Sequence, residues 1–202
     1  QALQFDGWQW VSLALATPAR AQSPEEIKIA RQMAGEAFTA YKGGEFEKAG
    51  ALGAELLALA EQQDDADLQV EGHLVIGSNA AFQGDLAGGL AHLDRAIALF
   101  DPRRHQPGTF RLGPSSGVVS ETTSAILLWL LGRPGAALER GERPVELARQ
   151  LNHPVTLAYA LFHVGFLDLW RRDLELVQQR ASGVLEVAEQ QDYPIWKAVG
   201  LV

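Results

Sequence analysis

The stretch GGEFEKAG, residues 43–50, sets a glycine pair, an acid, an aromatic and a small residue between two alanine-rich stretches. Related punctuation returns as QGDLAGGL at 83–90, LGRPGAAL at 131–138 and RRDLELVQ at 171–178. With Gly44, Gly84, Gly132 and Arg172 as anchors, the spacings are 40, 48 and 40 residues. Recurrence at such a period marks a repeat architecture, in which each unit buries its apolar face only against the next.

Residues at fixed distances from the anchors agree in size. Seven before come Ala37, Gly77, Ala125 and Gly165, and five after come Ala49, Gly89, Ala137 and Val177. Small side chains at these places permit close helix–helix contact. Thirteen after come Leu57, Ile97, Val145 and Leu185; fifteen after come Leu59, Leu99, Leu147 and Val187.

Each unit reads as two helices. LQVEGHLVIGSNAAF (68–82) and LAGGLAHLDRAIALF (86–100) place apolar residues at helical steps, and no sustained two-residue alternation suggests a strand. The expected helices run at about 24–42, 46–62, 66–83, 86–100, 116–131, 135–151, 154–171, 174–191 and from about 194. Ser23, Pro24 and Glu26 form a helix-start pattern, Asp85 and Asp173 stand where they cap, and Pro134 and Pro154 suit a first turn. Two places break the pattern. Residues 101–115, DPRRHQPGTFRLGPS, are a Pro/Gly-rich excursion that accounts for the longer spacing. Pro144 falls inside an expected helix, where it should kink or split it.

The 202 residues suffice for one ordinary domain, and 47% apolar content argues against wholesale disorder. A net charge of −8 argues against duplex nucleic acid as a partner. The absence of cysteine removes disulfides, thiolate zinc sites and cysteine nucleophiles, and fits a cytoplasmic location. No apolar run approaches the ~20 residues of a membrane span. The chain begins with Gln, which reads as a processed product or a piece of something longer. Residues 1–23 read as the end of a preceding repeat; WVSLALATPARAQS within them also imitates a signal remnant, which would make this an exported scaffold.

GEFEKA (44–49) matches the turn of tetratricopeptide repeats, and IGSNAAFQGDLAGGLAHLDRAIALFDP (76–102) resembles nearly a whole repeat of that family, in units longer than its usual ~34 residues. RAIALFDPRRH, LLGRPGAALERG, ELARQLNHPVTLAYALFHVGFLDLWRRD and AEQQDYPIWKA together resemble the C-terminal repeat region of large bacterial signalling proteins. Those proteins join an adenylate/guanylate cyclase domain and an AAA or STAND-type ATPase to a repeat tail. The resemblance implies a regulatory setting and carries no active site with it.

Catalytic motifs are missing. There is no phosphate-binding G-x-x-x-x-G-K-[ST], no G-x-G-x-x-G and no H-E-x-x-H. GPSSG (113–117) fits G-x-S-x-G around Ser115, but a Pro/Gly-rich loop precedes it rather than a strand, so a helix-start turn is expected. None of His73, His92, His105, His153 and His163 pairs with another at helical spacing, and Asp64, Asp65 and Asp67 read as a solvated turn with a cap. No enzyme activity, metal or cofactor is expected.

Interaction residues are the better candidates. Phe38, Phe82, Trp129, Phe162, Phe166 and Trp170 fall on the first helices of the pairs, where a concave wall would lie, and Arg171 and Arg172 stand beside Trp170. Aromatic anchors dominate such interfaces, although aromatics at helical spacing also serve as core between repeats. Arg103, Arg104, His105, Phe110 and Arg111 make the excursion a basic loop suited to an acidic segment or anion, or a plain surface loop. Ile195, Trp196, Val199, Leu201 and Val202 would be exposed on the last helix, offering continuation of the array or self-association. The expected fold is an all-α right-handed superhelical solenoid of antiparallel helix pairs, about four repeats over 24–202. The expected function is protein–protein interaction as the sensor arm of a signalling ATPase or cyclase, binding a protein or peptide ligand; a small-molecule inducer among the aromatics is the alternative.

Overall fold

The computed structural model describes residues 24–104, 113–192 and 194–200. Among these residues the chain is all helical: α1 Pro24–Lys42, α2 Phe46–Gln62, α3 Ala66–Phe82, α4 Leu86–Leu99, α5 Ser116–Leu130, α6 Pro134–Gln150, α7 Pro154–Trp170, α8 Leu174–Gln190 and α9 Pro194–Gly200. The limits read from the sequence hold to within about a residue, which is the ordinary latitude of helix ends. Residues 1–23, with Ser23 and the signal-like run, lie outside the described residues, as do His105, Phe110 and Arg111 of the excursion, Leu201 and Val202.

The turns explain why the ends were legible. Gly44, Gly84 and Gly132 have φ of 79°, 92° and 76°, and Asp64, Asn152, Arg172 and Asp192 adopt φ of 51°, 48°, 61° and 51°. These seven left-handed residues recur at every twentieth position on either side of the excursion. At the ends of α1, α2, α3, α5 and α7 the amide after the left-handed residue donates back to the last turn, from Glu45 to Ala40 and from Asp65 to Ala60, both at 2.9 Å. Asp85 to Ala80 repeats it at 3.0 Å, and Arg133 to Leu128 and Asp173 to Asp168 at 2.9 Å. Each such bond satisfies a carbonyl the helix leaves open. The next helix starts at once. Asp65, Asp85 and Asp173 accept from the amides of Leu68, Gly88 and Leu176, as their placement suggested.

Consecutive helices pack against each other along the whole array. The first helices of the pairs, α1, α3, α5 and α7, also touch their counterparts in the next pair, whereas the second helices make no comparable contact with one another. The first helices therefore form the closely spaced row. This buries α3 and α5 on nearly all sides, beyond the single apolar stripe read in the sequence, and encloses Glu71, His73, Asn79, Ser120, Glu121 and Thr122. Several find local partners: Ser120 and Thr122 donate to the carbonyls four residues back, and Ser116 donates to the Glu71 carboxylate, whereas Asn79 Oδ1 is buried without a hydrogen bond. Leu74, Leu93 and Leu167 are fully buried in the apolar cluster that joins α3, α4, α5 and α7.

The small residues flanking the anchors are the contact points. A Cβ on Gly77 would stand 2.9 Å from the carbonyl oxygen of Gly89, and one on Gly89 would stand 2.7 Å from that of Gly77. The backbones of α3 and α4 meet there directly. Pro144 corrects an expectation: α6 runs unbroken through it, and its ring is buried. Proline removes only the one rung that would end on the carbonyl of Arg140, so the helix is not split there.

Gly89→Ala should lower stability by about 1–3 kcal/mol in urea denaturation, because backbone cannot yield to the new methyl. Gly135→Ala, where a Cβ meets nothing within 4 Å, should be neutral or stabilising by up to ~1 kcal/mol.

Candidate functional site

The aromatic residues singled out on the later first helices come together. Trp129 of α5 lies 6.0 Å, centroid to centroid, from Trp170 of α7. Trp170 lies 6.1 Å from Phe166, and Phe166 lies 5.1 Å from Phe162. Positions 162, 166 and 170 are four residues apart, so one face of α7 carries all three. His163 packs edge-on to Phe162 at 5.0 Å and stacks on Tyr159 at 3.9 Å. Phe162 reaches Trp196 of α9 at 6.1 Å. The result is a continuous row of rings across α5, α7 and α9. Trp170 is 39% exposed, and its neighbours in the row are partly buried.

Phe82 does not join this row. It packs at the first turns, edge-on to Tyr41 at 5.3 Å and against Phe46 at 6.0 Å, and remains exposed. Phe38 sits 5.8 Å from Tyr41. Burial pushes the Tyr41 hydroxyl up to about 12, and Tyr159 of α7 adds to the shift. Trp196 corrects an expectation: it is partly covered by Phe162 and the cluster around Val184, while Ile195 beside it is exposed.

Two residues before Trp170, α7 carries a buried carboxylate. Asp168 accepts from Arg180 Nε of α8 at 3.1 Å, and Arg171 Nε stands 3.8 Å away. Arg180 also reaches Glu142 of α6 at 3.0 Å, so one guanidinium ties three helices together. Arg171 is further engaged by Asp173, whose carboxyl that hydrogen bond holds below the usual range. A second polar cluster joins α4, α5 and α6: Arg140 pairs with Asp94 and stands 3.9 Å from Glu121, whose carboxyl burial pushes up.

The excursion's described cations are already paired. Arg103 folds back on Asp101 at 3.0 Å, holding that carboxyl down to about 2, and Arg104 stands 3.4 Å from Asp67. Both pairs are solvent-exposed and of the kind that adds little stability. Ser115 starts α5, as expected of a helix-start turn; its amide donates to Thr156 Oγ1 at 2.9 Å.

A histidine pair escaped the sequence reading, which tested spacing within one helix. His73 of α3 and His92 of α4 meet with their Nδ1 atoms 2.9 Å apart. Burial, with His92 and Arg95 adding to it, lowers His73 to about 4. Only the α3–α4 crossing brings positions nineteen apart together. An open groove of about 650 Å³ lies on the other side of α7, between the second helices α6 and α8. Leu157, Leu161, Leu176, Arg149, Arg180 and Glu142 are among its lining residues. Among the described residues no group of three metal-ligating side chains assembles, and no helix is long and apolar enough to cross a membrane.

Arg180→Gln should cost about 3 kcal/mol in urea unfolding, since it leaves Asp168 buried without its cation; Arg103→Gln should change little. An unfolded histidine titrates near 6.5, whereas folded His73 titrates near 4. Between those values the unfolded chain binds the proton the folded chain refuses, so stability falls as pH drops through the window. The urea midpoint should accordingly fall from about pH 7.5 to about pH 5, and His73→Gln should reduce that fall.

No protein-family model matches the chain, and a search of the curated proteins finds no match to it.

Proposed function

We propose that the chain is a tetratricopeptide-like interaction module, a right-handed superhelical array whose closely spaced row of first helices is the concave, partner-binding wall. In this reading it serves as the sensor or regulatory arm of a larger cytoplasmic signalling ATPase or nucleotide cyclase of bacterial type, and it performs no catalysis of its own. The observation that carries the reading is the ring row from Trp129 through Trp170, Phe166 and Phe162 to Trp196. It crosses successive pairs on the side where an extended or helical segment would lie. Rigid aromatic area at low entropic cost is what interface hot spots are made of. Bonds from Arg180 and Arg171 to Asp168 fix the helix that presents Trp170.

One observation favours a second reading, a small-molecule inducer. The groove between α6 and α8 has a volume within the range of ligand sites, about 300–1,000 Å³. Its open mouth and charged lining fit a peptide reading of the ring row better than an enclosed inducer pocket.

Peptides selected from a displayed random library against residues 1–202 should carry aromatic or aliphatic anchors. Trp129→Ala or Phe166→Ala should weaken their binding by about tenfold or more, with unchanged circular dichroism. Failure to select any peptide, or equal binding to the variants, would sink the reading. Inducer binding would show instead as ligand-dependent protection of Leu157 and Leu176 in hydrogen exchange.

A further inference from the structure

The large apolar side chains that face solvent are not scattered. Among the described residues Phe82, Leu130, Leu169, Trp170, Leu174 and Ile195 are the exposed ones, and all but Ile195 lie at the edge where a first helix turns into its second. Phe82, Leu130 and Trp170 each stand two residues before an anchor, so the same repeat position is exposed and apolar in three successive pairs. Phe82 has aromatic neighbours in Tyr41 and Phe46. Leu130 at 54% and Leu174 at 69% exposure sit at two adjacent turns, which the 6.0 Å contact of Trp129 with Trp170 holds side by side.

The charges at these two turns are unequal. Arg171 is engaged by Asp168 and Asp173, and Asp173 also caps α8. Arg133 and Arg172 are exposed at the turn tips and make no ion pair among the described residues. Glu175 is the one further acid in the first turn of α8, where the positive helix end favours it. An otherwise acidic chain thus frames its exposed leucines and tryptophan with two uncommitted guanidinium groups. Distant acids do not cancel them, because charges farther away than the ~8 Å Debye length at physiological salt are screened.

We propose that this turn edge, Leu130, Leu169, Trp170 and Leu174 framed by Arg133 and Arg172, is a docking surface for an acidic amphipathic peptide segment. Its apolar residues cover the leucines and tryptophan, and its carboxylates take the forked hydrogen bonds of the two arginines. The surface shares Trp170 with the ring row and adds to it the exposed leucines and the two arginines, so its charge preference does not rest on Phe162 or Phe166.

The test uses fluorescein-labelled peptides with one fixed pattern of Leu and Trp and with Glu, Lys or Ser at every other position, titrated against residues 1–202 by anisotropy. The Glu peptide should bind about tenfold tighter than the Lys peptide, the size expected of about two charge contacts. The double variant Arg133→Glu/Arg172→Glu should reverse that order, and Leu130→Ser/Leu174→Ser should weaken all three peptides. Phe82→Ser, at the turn among the rings of α1 and α2 and outside this surface, should leave Glu-peptide affinity unchanged. Three equal affinities, no binding of the Glu peptide, or an order that survives charge reversal overturns the proposal. So does light scattering that shows a dimer abolished by Leu130→Ser, since the occupant is then a second copy.

Discussion

The array rests on close helix crossings, and between α3 and α4 backbone meets backbone. The carbonyl oxygens of Gly77 and Gly89 lie where a methyl on the partner glycine would be, so α3 and α4 touch without intervening side chains. A contact that close leaves only one crossing geometry, and the left-handed turn at Gly84 delivers the chain into it. Repetition of that turn, every twentieth residue outside the excursion, propagates the geometry along the array. The excursion at 101–115 interrupts the period without interrupting the packing, since α4 and α5 still meet on its far side.

Close packing of the first helices has a second consequence. α3 and α5 lose their solvent face, so polar residues that a surface helix would show to water are enclosed. The Ser120 and Thr122 hydroxyls bond to carbonyls one turn back, a carboxylate takes Ser116, and two histidines pair across a crossing. Those partners offset the burial, because an unpaired polar group in the interior costs more than a hydrogen bond returns. The ion cluster of Asp168, Arg180 and Glu142 applies the same rule to charge.

The ring row and the turn edge divide the recognition chemistry. On α7 the four-residue spacing of Phe162, Phe166 and Trp170 was visible in the sequence, and the structure brings those rings together. Phe82 is also aromatic and stands at the same repeat position as Trp170, yet it falls among the rings of α1 and α2. Repeat position thus places an apolar residue at the exposed turn without assigning it to one surface. The ring-row partner Trp196 was legible only as an apolar residue of the last helix, because its contact with Phe162 depends on how α9 lies against α7.

Local chemistry in the sequence determined the helices, their limits and their caps. Left-handed turns, aspartate caps and first-turn prolines act within a few residues, so the period of small and apolar positions around Gly44, Gly84, Gly132 and Arg172 sufficed to read them. The tertiary structure decided the rest. It chose which first helices sit inside, carried α6 through Pro144, and joined His73 to His92 and Arg180 to both Asp168 and Glu142. Those contacts join residues far apart in sequence, and helix packing angles set them, which no local pattern of residues encodes.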